Sequence, residues 1–128
     1  MTIIVRGDVT ARPESFERLL EAALAHVARS RTEAGCIEHG VAVDAENPLR
    51  LVFFEIWADA AALKTHFAQP GSAEFMEAVA EFAADRGGLH IYSAERVKVW
   101  PAPAWRSSSP VAWPFRKPFH TVTPPVPG

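Results

Sequence analysis

Apolar and polar residues change their period several times along this chain. Ile3, Val5, Val9 and Ala11 alternate with Thr2, Arg6, Asp8 and Thr10, which predicts a strand from about residue 2 to residue 11. Gly7 in its middle lets a helix, a ligand or a bulge approach closely. Pro13 suits the first position of a helix, and Glu14 and Glu17 favour the positive end of its dipole. Phe16, Leu19, Leu20, Ala23, Leu24 and Val27 follow at helical spacing, and Gly35 ends the segment. Period two returns from Cys36 to Asp44, with Ile37, Val41 and Val43 on one side. Glu46-Asn47-Pro48 is turn chemistry, so this strand and the one from Arg50 onward make an antiparallel hairpin. Asp59 then caps a helix bearing Leu63 and Phe67, which Gln69-Pro70-Gly71 interrupts. Ser72 caps a second piece with Phe75, Met76, Val79, Phe82 and Ala83 on one face, and Gly87-Gly88 stops it. A final strand runs from Leu89 to about Trp100.

The order strand, helix, strand, strand, helix, strand predicts an α+β, ferredoxin-like βαββαβ fold, with a four-stranded antiparallel sheet and both helices on one face. The central strand is the exception to simple alternation. Leu51, Phe53, Glu55 and Trp57 point one way, while Val52, Phe54 and Ile56 point the other. Helices cover only one of those faces. The other predicts a homodimer through the open sheet face, two sheets packing together. Glu55 is the one acid in this apolar run, and a buried carboxylate without a partner costs several kcal/mol. It must be paired, protonated or facing a wet cavity; Arg6 and Arg96 are the partners that the sequence suggests.

Composition narrows the function classes. With 128 residues the chain can bury a core without disulfides or metal, and a net charge of −2 gives no footprint for nucleic acid or a membrane surface. Cys36 is the single cysteine, so no internal disulfide forms, and it reads as a small core residue. No run is apolar enough to span a bilayer and no secretory leader is evident, which places the protein in the cytoplasm. Residues 1–100 read as one folded domain. Residues 101–128 form a Pro-rich tail, extended or disordered, whose Trp105, Trp113, Phe115 and Phe119 also suit an arm laid over the subunit or its partner.

Candidate chemistry is sparse. His26, His39, His66, His90 and His120 are scattered, none forms an H-x-H or H-E-x-x-H spacing, and no metal site is predicted. There is no dinucleotide fingerprint, P-loop or nucleophile elbow. Any reaction must therefore use side chains and substrate alone, without a cofactor. His66, just after the central strand, titrates near neutrality and can take a proton from an acidic substrate hydroxyl or carbon. The competing reading is a histidine bonded to backbone near the Gln69-Pro70 break. Trp57 is open to a core role and Glu55 to a buried pair.

Glu33-Ala34-Gly35-Cys36, Asn47-Pro48, Phe54-Glu55-Ile56-Trp57, Ala62-Leu63-x-x-His66, Pro70 and Phe75, in that order, resemble the antibiotic biosynthesis monooxygenase family, which includes quinol monooxygenase-like members. The likeness spans roughly Thr2 to Trp100. It implies a dimeric α+β barrel with one cavity per subunit between sheet and helices. It also implies oxygenation of a hydroquinone, polycyclic phenol or anthrone by O2 without flavin, haem or metal. On that resemblance His66, Trp57 and Glu55 are catalytic, and Phe53, Phe67 and Phe75 bind a small aromatic substrate. Haem-degrading relatives carry an Asn on the first strand where this chain has Gly7 and Asp8, so haem degradation is disfavoured. Other relatives isomerise small enolisable metabolites, and a non-catalytic dimeric binding protein is the reading from a different class.

Overall fold

Alternation in the first segment produces what its period predicts. Thr2–Ala11 is a strand (β1) that buries Ile3, Val5, Gly7, Val9 and Ala11 on one side in a computed structural model that describes residues 1–99. A short 3-10 turn at Pro13–Ser15 leads into helix α1, Phe16–Ser30. Ser15 ties that entry down by donating its hydroxyl to the Phe82 carbonyl at 2.7 Å. The inward stripe of α1 is Leu19, Ala23, His26, Val27 and Ser30, whereas Leu24, expected on it, is 53% exposed. Strands β2, Cys36–Asp44, and β3, Asn47–Trp57, form the expected hairpin, although its turn falls at Ala45-Glu46 and β3 starts three residues before Arg50. Asp44 and Asn47 hold the turn by accepting from the backbone N–H groups of Glu46 and Leu49.

Helix α2, Ala60–Ala68, is capped by Asp59, whose carboxylate accepts from the Ala62 N–H at 2.8 Å. Gln69 is extended, with φ −68 and ψ 142, because Pro70 follows it, and α3, Pro70–Phe82, begins at the proline itself. Ser72 is therefore not the cap; it lies in the first turn and donates to the His66 carbonyl at 2.6 Å. Nor does α3 continue to Gly87-Gly88. It gives way to a three-residue strand, β4 (Ala83–Asp85), and the last strand, β5, is Leu89–Ala94 rather than a run to Trp100.

The sheet is antiparallel throughout, ordered β2-β3-β1-β4, with β5 pairing along the same edge of β1 as β4. This is the ferredoxin-like α+β fold, with five strands and three α-helices among the described residues where four and two were expected. The extra strand, β4, replaces the end of the second helical region, which was expected to run to Gly87-Gly88, and the extra helix arises because Pro70 divides that region in two.

The core lies between sheet and helices. One cluster joins Val9, Leu19, Val27, Leu51, Phe53 and Val79; a second joins Ile3, Val5, Trp57 and Leu63. On the opposite side of the sheet Phe54 is 42% exposed, Val52 and Ile56 are half-buried, and Tyr92 joins them through its register with Ile4. No helix among the described residues is long and apolar enough to cross a membrane. The tail expected over residues 101–128 and its docked-arm alternative lie outside the described residues.

Candidate functional site

Strand geometry assembles the centre of the site. Glu55 and Trp57 are two residues apart on β3 and so share a face. The indole Nε1–H donates to Glu55 Oε1 at 2.8 Å. Cross-strand register sets His39 of β2 opposite Glu55, with His39 Nε2 at 3.2 Å from the same oxygen. That register depends on a bulge between Cys36 and Glu38, which leaves Ile37 62% exposed instead of beside Val41 and Val43. Arg6 faces the open side of the sheet opposite Phe54, so it cannot reach Glu55; the hydrogen-bond partner is Trp57, with His39 and His66 rather than an arginine as the basic neighbours.

His66 descends on this centre from α2. Its Nδ1 lies 3.1 Å from both Glu33 carboxylate oxygens and its Nε2 is 3.8 Å from Glu55 Oε1. The histidine is thus held by a carboxylate and not by backbone near Gln69. An imidazole whose Nδ1–H is donated to a carboxylate keeps its Nε2 lone pair for other chemistry. Gly35 makes this approach feasible. With φ +83 and an added Cβ falling 2.5 Å from Ala62 Cβ, only glycine lets the chain after Glu33 run beneath α2.

His26 completes the cluster from α1. Its ring stacks on Phe75, with centroids 4.6 Å apart, and lies 5.3 and 5.2 Å from the rings of His39 and His66. The three imidazoles each offer one nitrogen within 4.8 Å of the others, an arrangement able to hold a metal ion. Three of the five histidines read as scattered thus converge in the fold. The spacing gave no sign of it because the three histidines come from three elements.

Electrostatics separates these groups. Burial drives the His26 pKa from 6.5 down to about 4, assisted by the positive character of His39, His66 and Arg29. His26 is neutral at pH 7. Burial pushes the Glu55 carboxyl up, but His39, the Trp57 N–H and His66 outweigh it, leaving Glu55 below the ordinary carboxylate range and ionised. Burial raises the Cys36 thiol, with Glu33 adding to it, which removes any case for an activated thiolate there.

A cavity of about 270 Å³ opens beside the cluster, walled by His26, Glu55 and His66 and otherwise largely apolar. Phe53 and Phe75 line it from β3 and α3, and Phe67, 46% exposed, stands on its wall. Gly7 contributes space, since a Cβ there would meet Leu89 Cδ1 at 3.2 Å. Five of the six candidate residues, His66, Glu55, Phe53, Phe67 and Phe75, thus share one cavity. Trp57 does not line it. Fully buried, it packs behind His66 with ring centroids 4.6 Å apart, so it supports the site from behind rather than meeting a ligand. Sequence reasoning missed three contributors: His26, His39 and Glu33. For His39 a signal existed, since the hairpin register sets it opposite Glu55; for His26 and Glu33 no local spacing points to the site.

Comparison with known proteins gives the family and agrees with the fold. The family model described as antibiotic biosynthesis monooxygenase matches residues 2–78. An uncharacterized protein of Synechocystis is 31% identical over 90 residues, covering 70% of this chain and 61% of that protein, so the match spans less than two thirds of the relative's length. Among solved structures, a Deinococcus radiodurans protein classed with the antibiotic biosynthesis monooxygenases superposes with a TM-score of 0.72 at 25% identity, covering 77% of this chain and 99% of that one. Rv0793 of Mycobacterium tuberculosis gives 0.71 at 21% identity over 76% of this chain and 98% of its own, and shares the fold. A conserved Methanosarcina mazei protein gives 0.70 at 24%, over 74% and 94%, and likewise shares the fold. With the family model covering more than half of its length, this chain belongs to the antibiotic biosynthesis monooxygenase family.

Proposed function

We propose that the protein is a monooxygenase of this family that oxidises a small hydroquinone or related phenol with O2, without a bound cofactor. The observation that carries the reading is His66. One imidazole nitrogen is fixed by Glu33 and the ring faces an apolar cavity between sheet and helices. Deprotonating an electron-rich phenol yields an anion able to pass an electron to O2, so the protein must supply a base, a dry pocket and orientation. His66 Nε2 accepts the phenolic proton, and Glu33 stabilises the imidazolium that results. Ionised Glu55, fixed by Trp57, sets the field beside the ring. Phe53, Phe67 and Phe75 provide apolar walls for the substrate.

Cavity size narrows the substrate. A cavity of about 150 Å³ holds benzene, so about 270 Å³ suits one ring with substituents or two fused rings better than an extended polycycle. We further assign the open sheet face to a homodimer and the reaction to the cytoplasm, where a lone thiol such as Cys36 stays reduced.

An oxygen electrode tests the reading. Metal-stripped protein with a panel of one- and two-ring hydroquinones is expected to consume O2 without added flavin, haem or metal, and His66→Ala to lose most of that rate. No uptake across the panel, or an unchanged rate in His66→Ala, overturns it.

A further inference from the structure

We propose that His26, His39 and His66 form a site for a divalent late transition ion, with Glu55 as an adjacent oxygen ligand. Three separate elements, α1, β2 and α2, bring the imidazoles together, and all three residues are buried. His39 points most directly to a missing partner. Its side chain has no exposure, and neither ring nitrogen has a hydrogen-bond partner among the described residues, although Nε2 lies 3.2 Å from Glu55 Oε1. Buried imidazole nitrogens are ordinarily satisfied, and a metal ion satisfies one of them directly.

The surroundings suit a cation. His66 Nδ1 sits on the Glu33 carboxylate, the arrangement by which a metal-ligating imidazole is oriented and made more basic. Glu33 and Glu55 bring two carboxylates to the cluster; the Arg29 guanidinium, 3.5 Å from His26 Nδ1, is anchored on the Gly71 carbonyl at 2.7 Å, and Arg31 is held on the His39 carbonyl at 2.9 Å. Imidazole ligands select zinc, copper, nickel or iron over calcium and magnesium. Tetrahedral zinc, about 2.0–2.1 Å from each nitrogen, sets its ligands about 3.4 Å apart. The widest pair here, within 4.8 Å, must draw in by about 1.4 Å, a distance side-chain rotation covers. Because His26, His66 and Glu55 also line the cavity, a bound ion has a side open to an incoming ligand.

Metal-stripped, untagged full-length protein titrated with Zn2+ against a chromophoric chelator tests this. Expected is one Zn2+ per chain at submicromolar affinity, weakened about 100-fold or more by His39→Phe and about 10-fold by Glu33→Gln. His90→Ala, an exposed position on β5, should leave it unchanged. No retained Zn2+, or retention indifferent to His39→Phe, overturns the site. Should His39→Phe fail to fold, the visible spectrum of Co2+-loaded wild-type protein decides. Intense four- or five-coordinate bands support the site, and the weak spectrum of hydrated Co2+ overturns it. An ion on His66 takes the Nε2 lone pair that the base needs, so the metal-bound form is an inhibited state of the oxygenase, and failure to hold Zn2+ leaves the base role of His66 standing.

Discussion

At the scale of single residues the site rests on one carboxylate oxygen. Glu55 Oε1 accepts from Trp57 Nε1 at 2.8 Å while facing His39 and His66. Trp57→Phe removes the only donor in aligned contact with that oxygen among the described residues, as well as core volume. A hydrogen bond to a charged group contributes about 1.5–3 kcal/mol, so urea unfolding of Trp57→Phe should show a loss of about 2–4 kcal/mol, the upper part from lost packing. His26 gives the pH response. The unfolded chain binds its proton near pH 6.5, whereas the folded chain resists it down to about pH 4. Its neutral form therefore costs nothing above pH 7, and stability falls as pH drops from 6.5 toward 4, by up to ~3 kcal/mol. Thermal melts of metal-free protein from pH 8 to pH 4 should show that decline, and His26→Gln should flatten it. A decline of equal size in His26→Gln would assign it to other groups. Glu55 adds to the loss only at lower pH, because its carboxyl stays ionised below the ordinary range.

Elements were the most readable level, and their failures have identifiable causes. Alternation placed β1, β2 and β3, and Asp59 and Pro70 marked the start and break of the second helical region. The three-residue β4 is too short to carry a period, and the bulge at Ile37 cannot be seen without its partner strand. Polar residues explain the remaining misreading. His26 and Ser30 occupy the buried stripe of α1, where hydrophobic patterning selects Leu24 instead. Serine is satisfied by the His26 carbonyl at 2.7 Å, and histidine has the Arg29 guanidinium 3.5 Å from its Nδ1 while its ring stacks on Phe75, so each tolerates burial that composition would not suggest. Gly35, by contrast, was read correctly as a stop and proves more demanding than that. Its φ of +83 and the 2.5 Å approach of Ala62 Cβ mean that Gly35→Ala should cost about 2–4 kcal/mol. Denaturant midpoints would show it; a loss under about 1 kcal/mol would mean that α2 shifts without strain.

The whole molecule follows from a strand that is apolar on both sides. Helices bury Leu51, Phe53, Glu55 and Trp57, and the described residues leave Val52, Phe54 and Ile56 beside Tyr92 on the other face. Covering that face with a second copy predicts a dimer of two 14.0 kDa chains by light scattering. Phe54→Asp should shift it to monomer, and a monomeric wild type would leave the open face unexplained. The cavity is likewise a property of the whole, with walls from β1, β3, all three helices and the Gly87-Gly88 segment. That is why Glu33, Glu55, His66 and Phe75 were legible as members of a family pattern while the convergence of Glu33, His26 and His39 on one site was not. Contacts between residues 33 positions apart, such as Glu33 with His66, leave no trace in local spacing. The central claim is that His66 is the base in that cavity, and paired measurements on His66→Gln test it most directly. A hydroquinone that the wild type turns over should bind the variant within about 3-fold of wild-type affinity, while O2 consumption falls about 100-fold or more. Binding and turnover that both remain at the wild-type level would contradict it.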